Sequence, residues 1–374
     1  MRLRPLRCTA APAAANATDV SSRARVPSPR AGSTRTDSRA LLAAILAAGL
    51  AALVVSIAVT ITIGPADLSV RDVYAVVLEH VGIGSSGLSR LQDGIVWELR
   101  LPRTLLAAVC GAGLALCGAI MQSLLRNPLA DPFVLGISSG ASTGAVLVAV
   151  VGIGGGAISL STGAFAGAVV AFAAVVALAA GSGGGTARVI LAGVAGTQLF
   201  SALTSFIVMS SADAEQTRGV LFWLLGSLSG ADWTDVLLCG SVTALGIVAC
   251  LAVASSLDAL TFGNSAAASL GVSVRKIRVL LLTVTALITA ALVSAAGAIG
   301  FVGLVLPHAA RFLVGPRHSR LLPSTALIGA VFMVWVDAIA RTLFAPQEIP
   351  VGVVTALIGV PAFALILFRM RRTS

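Results

Sequence analysis

PFVLGISSGASTGAVLVAVVGIGGGAISLSTGAFAGAVVAFAAVVALAAGSGGGTA, residues Pro132 to Ala187, runs for 56 residues without one ionisable side chain. About 20 apolar residues span a bilayer core, so this run is long enough to cross twice, split at Gly152 to Gly156. Water cannot be the solvent of such a sequence, and similar charge-free runs fill most of the chain beyond Ala187. The expected fold class is an all-α polytopic membrane protein.

Composition agrees. The chain is 57% hydrophobic and 11% charged, with a mean hydropathy of +1.00, whereas soluble domains carry about 25% charged residues. Its 39 glycines and abundant alanine permit close helix packing where lipid supplies no hydrophobic push. The net charge of +10 is placed against a nucleic-acid groove. Eight arginines fall in the first 39 residues and most others in short segments between apolar runs, which is a topology signal. Cys8, Cys110, Cys117, Cys239 and Cys250 have no metal or redox spacing, and His80, His308 and His318 do not cluster. No metal site is expected.

Met1 to Arg39, mixed Ala, Pro, Ser, Thr and Arg, reads as a disordered tail, with the membrane domain occupying 40–374. Ten spans are read at about 40–63, 101–123, 132–152, 158–181, 188–210, 235–256, 277–297, 299–315, 321–342 and 352–369. Proline at 307 and glycines at 297, 300 and 303 argue against one straight helix there. The positive-inside bias puts both termini in the cytoplasm, with Arg126, Arg188, Arg275, Lys276, Arg278, Arg311, Arg317 and Arg320. Arg71, Arg90, Arg100, Arg103, Arg218 and Arg341 then lie outside. Two apolar stretches at that side are short or glycine-broken, Phe222 to Gly230 and Pro350 to Pro361. Such interruptions mark the substrate region of many transporters.

Arg100 to Ala141 reads RLPRTLLAAVCGAGLALCGAIMQSLLRNPLADPFVLGISSGA. With LAGVAGTQL at Leu191, FWLLGSLSGADW at Phe222, GAIGFVGLVLPHAAR at Gly297 and EIPVGVVTALIGVPAF at Glu348, it resembles the permease subunits of binding-protein-dependent ABC importers for ferric siderophores, haem and cobalamin. The resemblance covers nearly everything from residue 40 on. It implies ten helices with short re-entrant outer helices, as in the cobalamin-importer permease, in a dimer with a copy or paralogue in a bacterial cytoplasmic membrane. It also implies two cytoplasmic ATP-binding subunits and an extracytoplasmic substrate-binding protein.

Site residues follow from the same resemblance. Arg100, Arg103 and Arg341 are expected to dock the binding protein; the alternative is snorkelling to lipid headgroups or pairing with Glu98, Asp337 and Glu348. Asn127, Pro128 and Leu129, with Gly185 and Thr186, are expected to constrict the cytoplasmic mouth, beside Asp131 as a helix cap. Within a cytoplasmic loop at 257–278, Gly263, Asn264, Ala267, Leu270 and Gly271 would couple to the ATPase. Family members often carry an acidic residue where Asn264 stands. Thr197, Gln198 and Ser201, with Thr204 and Ser205, are possible pathway contacts. The chain has no GxxxxGK[ST] phosphate loop and a single lysine, Lys276. It is expected to bind no cofactor itself, ATP and magnesium being held by the partner, and to catalyse nothing. The expected function is import of a ferric siderophore or related chelate by alternating access. The rival, an ion-gradient-driven carrier, would want an ionisable residue near the midplane, for which Asp337 is the deepest candidate.

Overall fold

Small residues let helices approach until backbone meets backbone, and that contact organises this molecule. The computed structural model describes residues 34–64, 68–181, 186–211 and 213–371; most of the expected tail (1–33) and Gly185 lie outside them. The chain divides into two units, Met1–Ala40 and Leu41–Ser374.

In chain order the helices are α1 (Thr34–Thr62), α2 (Val70–His80), α3 (Arg90–Gly94), α4 (Leu101–Leu124), α5 (Ile137–Ala149), α6 (Leu160–Gly181), α7 (Thr186–Ser211), α8 (Ala214–Leu224), α9 (Trp233–Ala252), α10 (Ala254–Thr261), α11 (Asn264–Ser269), α12 (Val274–Ala296), α13 (Val302–Val314), α14 (His318–Thr342) and α15 (Val351–Arg371). No strand occurs among the described residues. Among the described residues, seven helices are long and apolar enough to cross a membrane, and three shorter apolar ones, Ile137–Ala149, Val302–Val314 and Val351–Ile366, complete the ten segments read from sequence.

The charge-free run at 132–187 becomes a hairpin. A 3₁₀ turn, Pro132–Leu135, ends at Gly136 with φ +73°, and α5 then packs along α6. A Cβ at Gly140 would lie 2.5 Å from the Gly167 carbonyl oxygen, and Gly144 faces Gly163 in the same way. The break expected near residue 298 falls at 297–301, where Gly297 ends α12 and Phe301 adopts a left-handed φ of +66°. Pro307 instead sits inside α13.

Helix α4 is the hub. It continues α3 through a π-helical turn, Ile95–Arg100, so the rod spans Arg90–Leu124, longer than the 101–123 read from sequence. It packs against α9, α12, α13 and α14. Gly111 meets the backbone of Gly329 on α14, and Gly118 that of Gly303 on α13. Since lipid tails are as apolar as leucine, these contacts hold the bundle by dispersion and shape rather than by escape from water.

The two interrupted stretches meet. Phe222 to Gly230 covers the end of α8 and the turn after it, and Gly226 accepts a hydrogen bond from the Val351 amide at 2.9 Å. Pro350 to Pro361 is not a separate segment: it is the first half of α15, which continues through Pro361. A helix tolerates a proline where neighbouring backbone compensates the missing amide.

Candidate functional site

The polar residues gather at the two ends of α4. At one end, Arg100 and Arg103 leave the π-turn and first turn of α4, and Arg341 the last turn of α14. With Glu348 they line one cavity of about 910 Å³. The three arginines singled out in the sequence are therefore brought together, each held by the chain's own acceptors. Arg103 donates through Nε to Asp337 at 2.9 Å and through Nη1 to both oxygens of Glu348 at 3.0 Å. Arg341 approaches Asp337 at 3.1 Å and donates to the Thr60 carbonyl at 3.1 Å. Arg100 is buried and donates to the Ile61 carbonyl at 2.7 Å. Its guanidinium lies over Gly64, where a Cβ would stand 2.5 Å from Nη2.

Asp337 is fully buried. An isolated buried carboxylate would be strongly disfavoured, and two flanking guanidiniums supply the compensation. Its Oδ2 meets Arg341 by distance but without in-line hydrogen-bond geometry. Of the alternative partners read from sequence, Asp337 and Glu348 are engaged.

At the opposite end, α4 closes with Arg126 at φ +48°, and the Asn127 side chain accepts from the Leu129 amide at 3.0 Å. Leu129 is exposed. Asp131 accepts from the Phe133 amide at 2.9 Å, capping the 3₁₀ turn before α5 rather than α5 itself. Burial pushes its carboxyl up to about 6. Thr186 opens α7. The 257–278 stretch read as a loop holds most of α10 and all of α11, and its last residues, Val274–Arg278, already form the first turn of α12. Gly263 enters α11 at φ +109°, a conformation that favours glycine. Ala267 is buried, while Asn264 and Gly271 are exposed and Phe262 and Leu270 are 80% and 71% exposed. Arg278 donates to Asn264 at 3.3 Å.

Sequence reading missed two links here. Gln122 donates to the Gly303 and Leu304 carbonyls at 3.2 and 3.1 Å and accepts from Arg311 at 2.6 Å. His318 lies between Ser123 (2.6 Å) and Asp258 (2.7 Å). Asp258 is the lone acidic residue of 257–278, which was the available signal; nothing local ties it to a histidine 60 positions away.

On α7, Gln198, Ser201 and Ser205 are exposed and Thr197 is half-buried. Thr204 turns inward and meets the Thr143 hydroxyl at 2.9 Å. Among the described residues no group of three or more His, Cys, Asp or Glu could hold a metal.

A ten-segment helical bundle with charged groups confined to its ends defines a multi-span membrane permease. The chain belongs to the FecCD transport family, whose model matches residues 52–369. The cobalamin import system permease protein BtuC of Halobacterium salinarum is 45% identical, over 75% of each chain. The Fe(3+)-citrate import system permease protein YfmD of Bacillus subtilis is 37% identical, over 81% of this chain and 88% of its own. A solved metal-chelate type ABC transporter in an inward-facing conformation superposes with a TM-score of 0.76 at 32% identity, covering 87% of this chain and 99% of that one.

Proposed function

We propose that this chain is the membrane subunit of an ATP-driven importer that carries a ferric siderophore or a related iron or cobalt chelate into the cytoplasm. The arginine end faces outward and receives a substrate-binding protein. The α10–α11 end and both termini face the cytoplasm, as the basic-residue bias requires. Two ATP-binding subunits seat against α11 between Phe262 and Leu270. The Asn127–Leu129 turn, with Gly185 and Thr186, closes the inner mouth, and Thr197, Gln198 and Ser201 face the pathway beside a second copy or paralogue.

The observation that carries this reading is the opposition of the two ends: a cavity whose lining holds three arginines against one carboxylate, Glu348, at one, a short helix flanked by exposed apolar side chains at the other. The first suits an acidic partner, whose capture charge complementarity speeds. The second suits a cleft in a soluble one. The gradient-driven alternative loses its best residue, because Asp337 is buried between two arginines and is no open proton site. Relatives named for cobalamin and for ferric citrate support the chelate class.

The test is uptake of ferric hydroxamate, ferric citrate and cobalamin into liposomes holding the complete complex. Uptake is expected with ATP and binding protein together. Uptake driven by a pH or sodium gradient without ATP overturns the reading.

A further inference from the structure

The Asp258–His318–Ser123 chain ties α10 to α14 and α4, two helices that the Arg103–Asp337 pair also joins at their other ends. Asp258 belongs to α10, His318 opens α14, and Ser123 lies in the last turn of α4. One carboxylate oxygen, Oδ1 of Asp258, accepts from the His318 amide at 2.9 Å and contacts its Nδ1 at 2.7 Å. Arg317, at the N-cap position of α14, provides no side-chain cap. The cap therefore comes from another element, and a carboxylate there is favoured by the helix dipole. With Nδ1–H donating to the carboxylate, Nε2 of the neutral ring is an acceptor for the Ser123 hydroxyl at 2.6 Å, a proton it shares with the Ala119 carbonyl at 2.9 Å. His318 is 1% exposed, so water is kept from the ring and from the Ser123 contact, while the Asp258 carboxylate, 34% exposed, still meets solvent.

Two features make this more than core satisfaction. Leu257, Ala259 and Leu260 of α10 are buried among apolar side chains, contacts that can slide at little cost because they have no direction. Hydrogen bonds have direction, and this chain fixes α10 against α4 at one register. Ser123 also stands four residues before Asn127, whose amide bonds the Gln122 carbonyl at 3.1 Å. A shift of the α10–α11 segment thus has a short, stiff polar path to the Asn127–Leu129 turn.

We infer that His318 is the positioning residue through which displacement of the α10–α11 segment reaches the Asn127–Leu129 turn. The inference rests on the importer reading above, in which α11 meets the ATPase and that turn closes the mouth. Removing His318 uncouples the two: the ATPase still seats and turns over, but the mouth no longer follows its nucleotide state.

The experiment uses the assembled complex in nanodiscs. Cys110, Cys117, Cys239 and Cys250 are buried, so a Leu129→Cys probe in a Cys8→Ser background reports accessibility to a polar maleimide. Labelling rates are compared nucleotide-free and trapped with ATP and vanadate, alongside ATPase turnover. With His318 present, trapping changes the rate. In His318→Ala that change is expected to be lost while ATPase turnover and subunit association persist. In His318→Gln it is retained, since an amide can donate to Asp258 and accept from Ser123. Where His318→Ala does not assemble, Ser123→Ala cuts only the α4 end of the link and is expected to lose the same response. A full nucleotide response in His318→Ala, or in Ser123→Ala, overturns the inference. No response at Leu129→Cys with His318 present overturns the gate assignment itself, and the inference with it.

Discussion

Helices α4 and α7 are both long, apolar and glycine-containing, yet α4 is 83% buried over its most apolar window and α7 17%. Hydropathy does not separate them. A close glycine contact does not by itself separate them, since Gly193 of α7 meets the Val134 backbone; what separates them is that α4 carries such groups along its whole length, Arg103 at one end, Gly111 and Gly118 mid-span, and Gln122 and Ser123 at the other. Along α7, Thr204 makes one inward hydroxyl contact, while Leu191, Leu199, Phe206 and Met209 stand 58–88% exposed. In lipid a buried helix is one whose neighbours have been cut to fit it.

The largest expected effect is at Gly118. A side chain there would occupy the space of the Gly303 backbone, and backbone cannot rotate aside. Gly118→Val is expected to yield no monodisperse protein on size exclusion in detergent. Ala195→Val, on the exposed part of α7, should elute unchanged. A well-behaved Gly118→Val would remove the steric half of the contrast.

Asp337→Ala comes next. It removes the carboxylate that Arg341 pairs with and one of the two that hold Arg103, whose Glu348 contact remains, and breaking a buried ion pair by deleting one partner costs about 3–5 kcal/mol. A clear fall in detergent Tm is expected. Glu348→Ala touches the same Arg103 from an exposed position and should cost about 0–1 kcal/mol. At the other end, Gln122→Leu leaves Arg311 without its acceptor and three hydrogen bonds unmade, a loss on the order of 1–3 kcal/mol. Thr204→Val on α7, losing one neutral hydroxyl contact, should cost about 1 kcal/mol. Equal Tm losses for Gln122→Leu and Thr204→Val would break the comparison.

How far α4 and α7 could be told apart in advance depends on the physics involved. Membrane residence and the ten apolar segments were legible because bilayer thickness fixes a length scale that any charge-free run reveals. The clustering of Arg100, Arg103 and Arg341 was legible through resemblance, and Asp337 and Glu348 were visible as possible partners. The facing of α7 was not, since polar residues such as Gln198 and Thr204 carry no sign of which neighbour they meet. The Asp258–His318–Ser123 link was not legible either, because it joins residues 60 and 195 positions apart and only packing brings them together. The seating of the start of α15 on the α8 turn, where the Val351 amide donates to the Gly226 carbonyl, likewise joins residues that local sequence does not relate.

The smallest effect is the sharpest test of what α7 faces. Leu199 and Phe206 are 58% and 69% exposed, so most of their surface lies outside the chain's own packing. Replacing both with alanine deletes little contact within one chain, and surface changes of this kind usually stay within about 0.5 kcal/mol. Detergent-solubilised single chains carrying the double substitution should therefore melt with the unsubstituted protein. The same variant in an assembled pair reports something else. If α7 meets a second permease chain, truncation removes dispersion contacts at that interface, where no hydrophobic driving force exists to replace them, and the pair should dissociate at lower detergent concentration. If α7 meets lipid alone, pair and single chain respond alike. A large Tm loss in the single chain would mean that α7 is packed internally after all, and the contrast with α4 would fall.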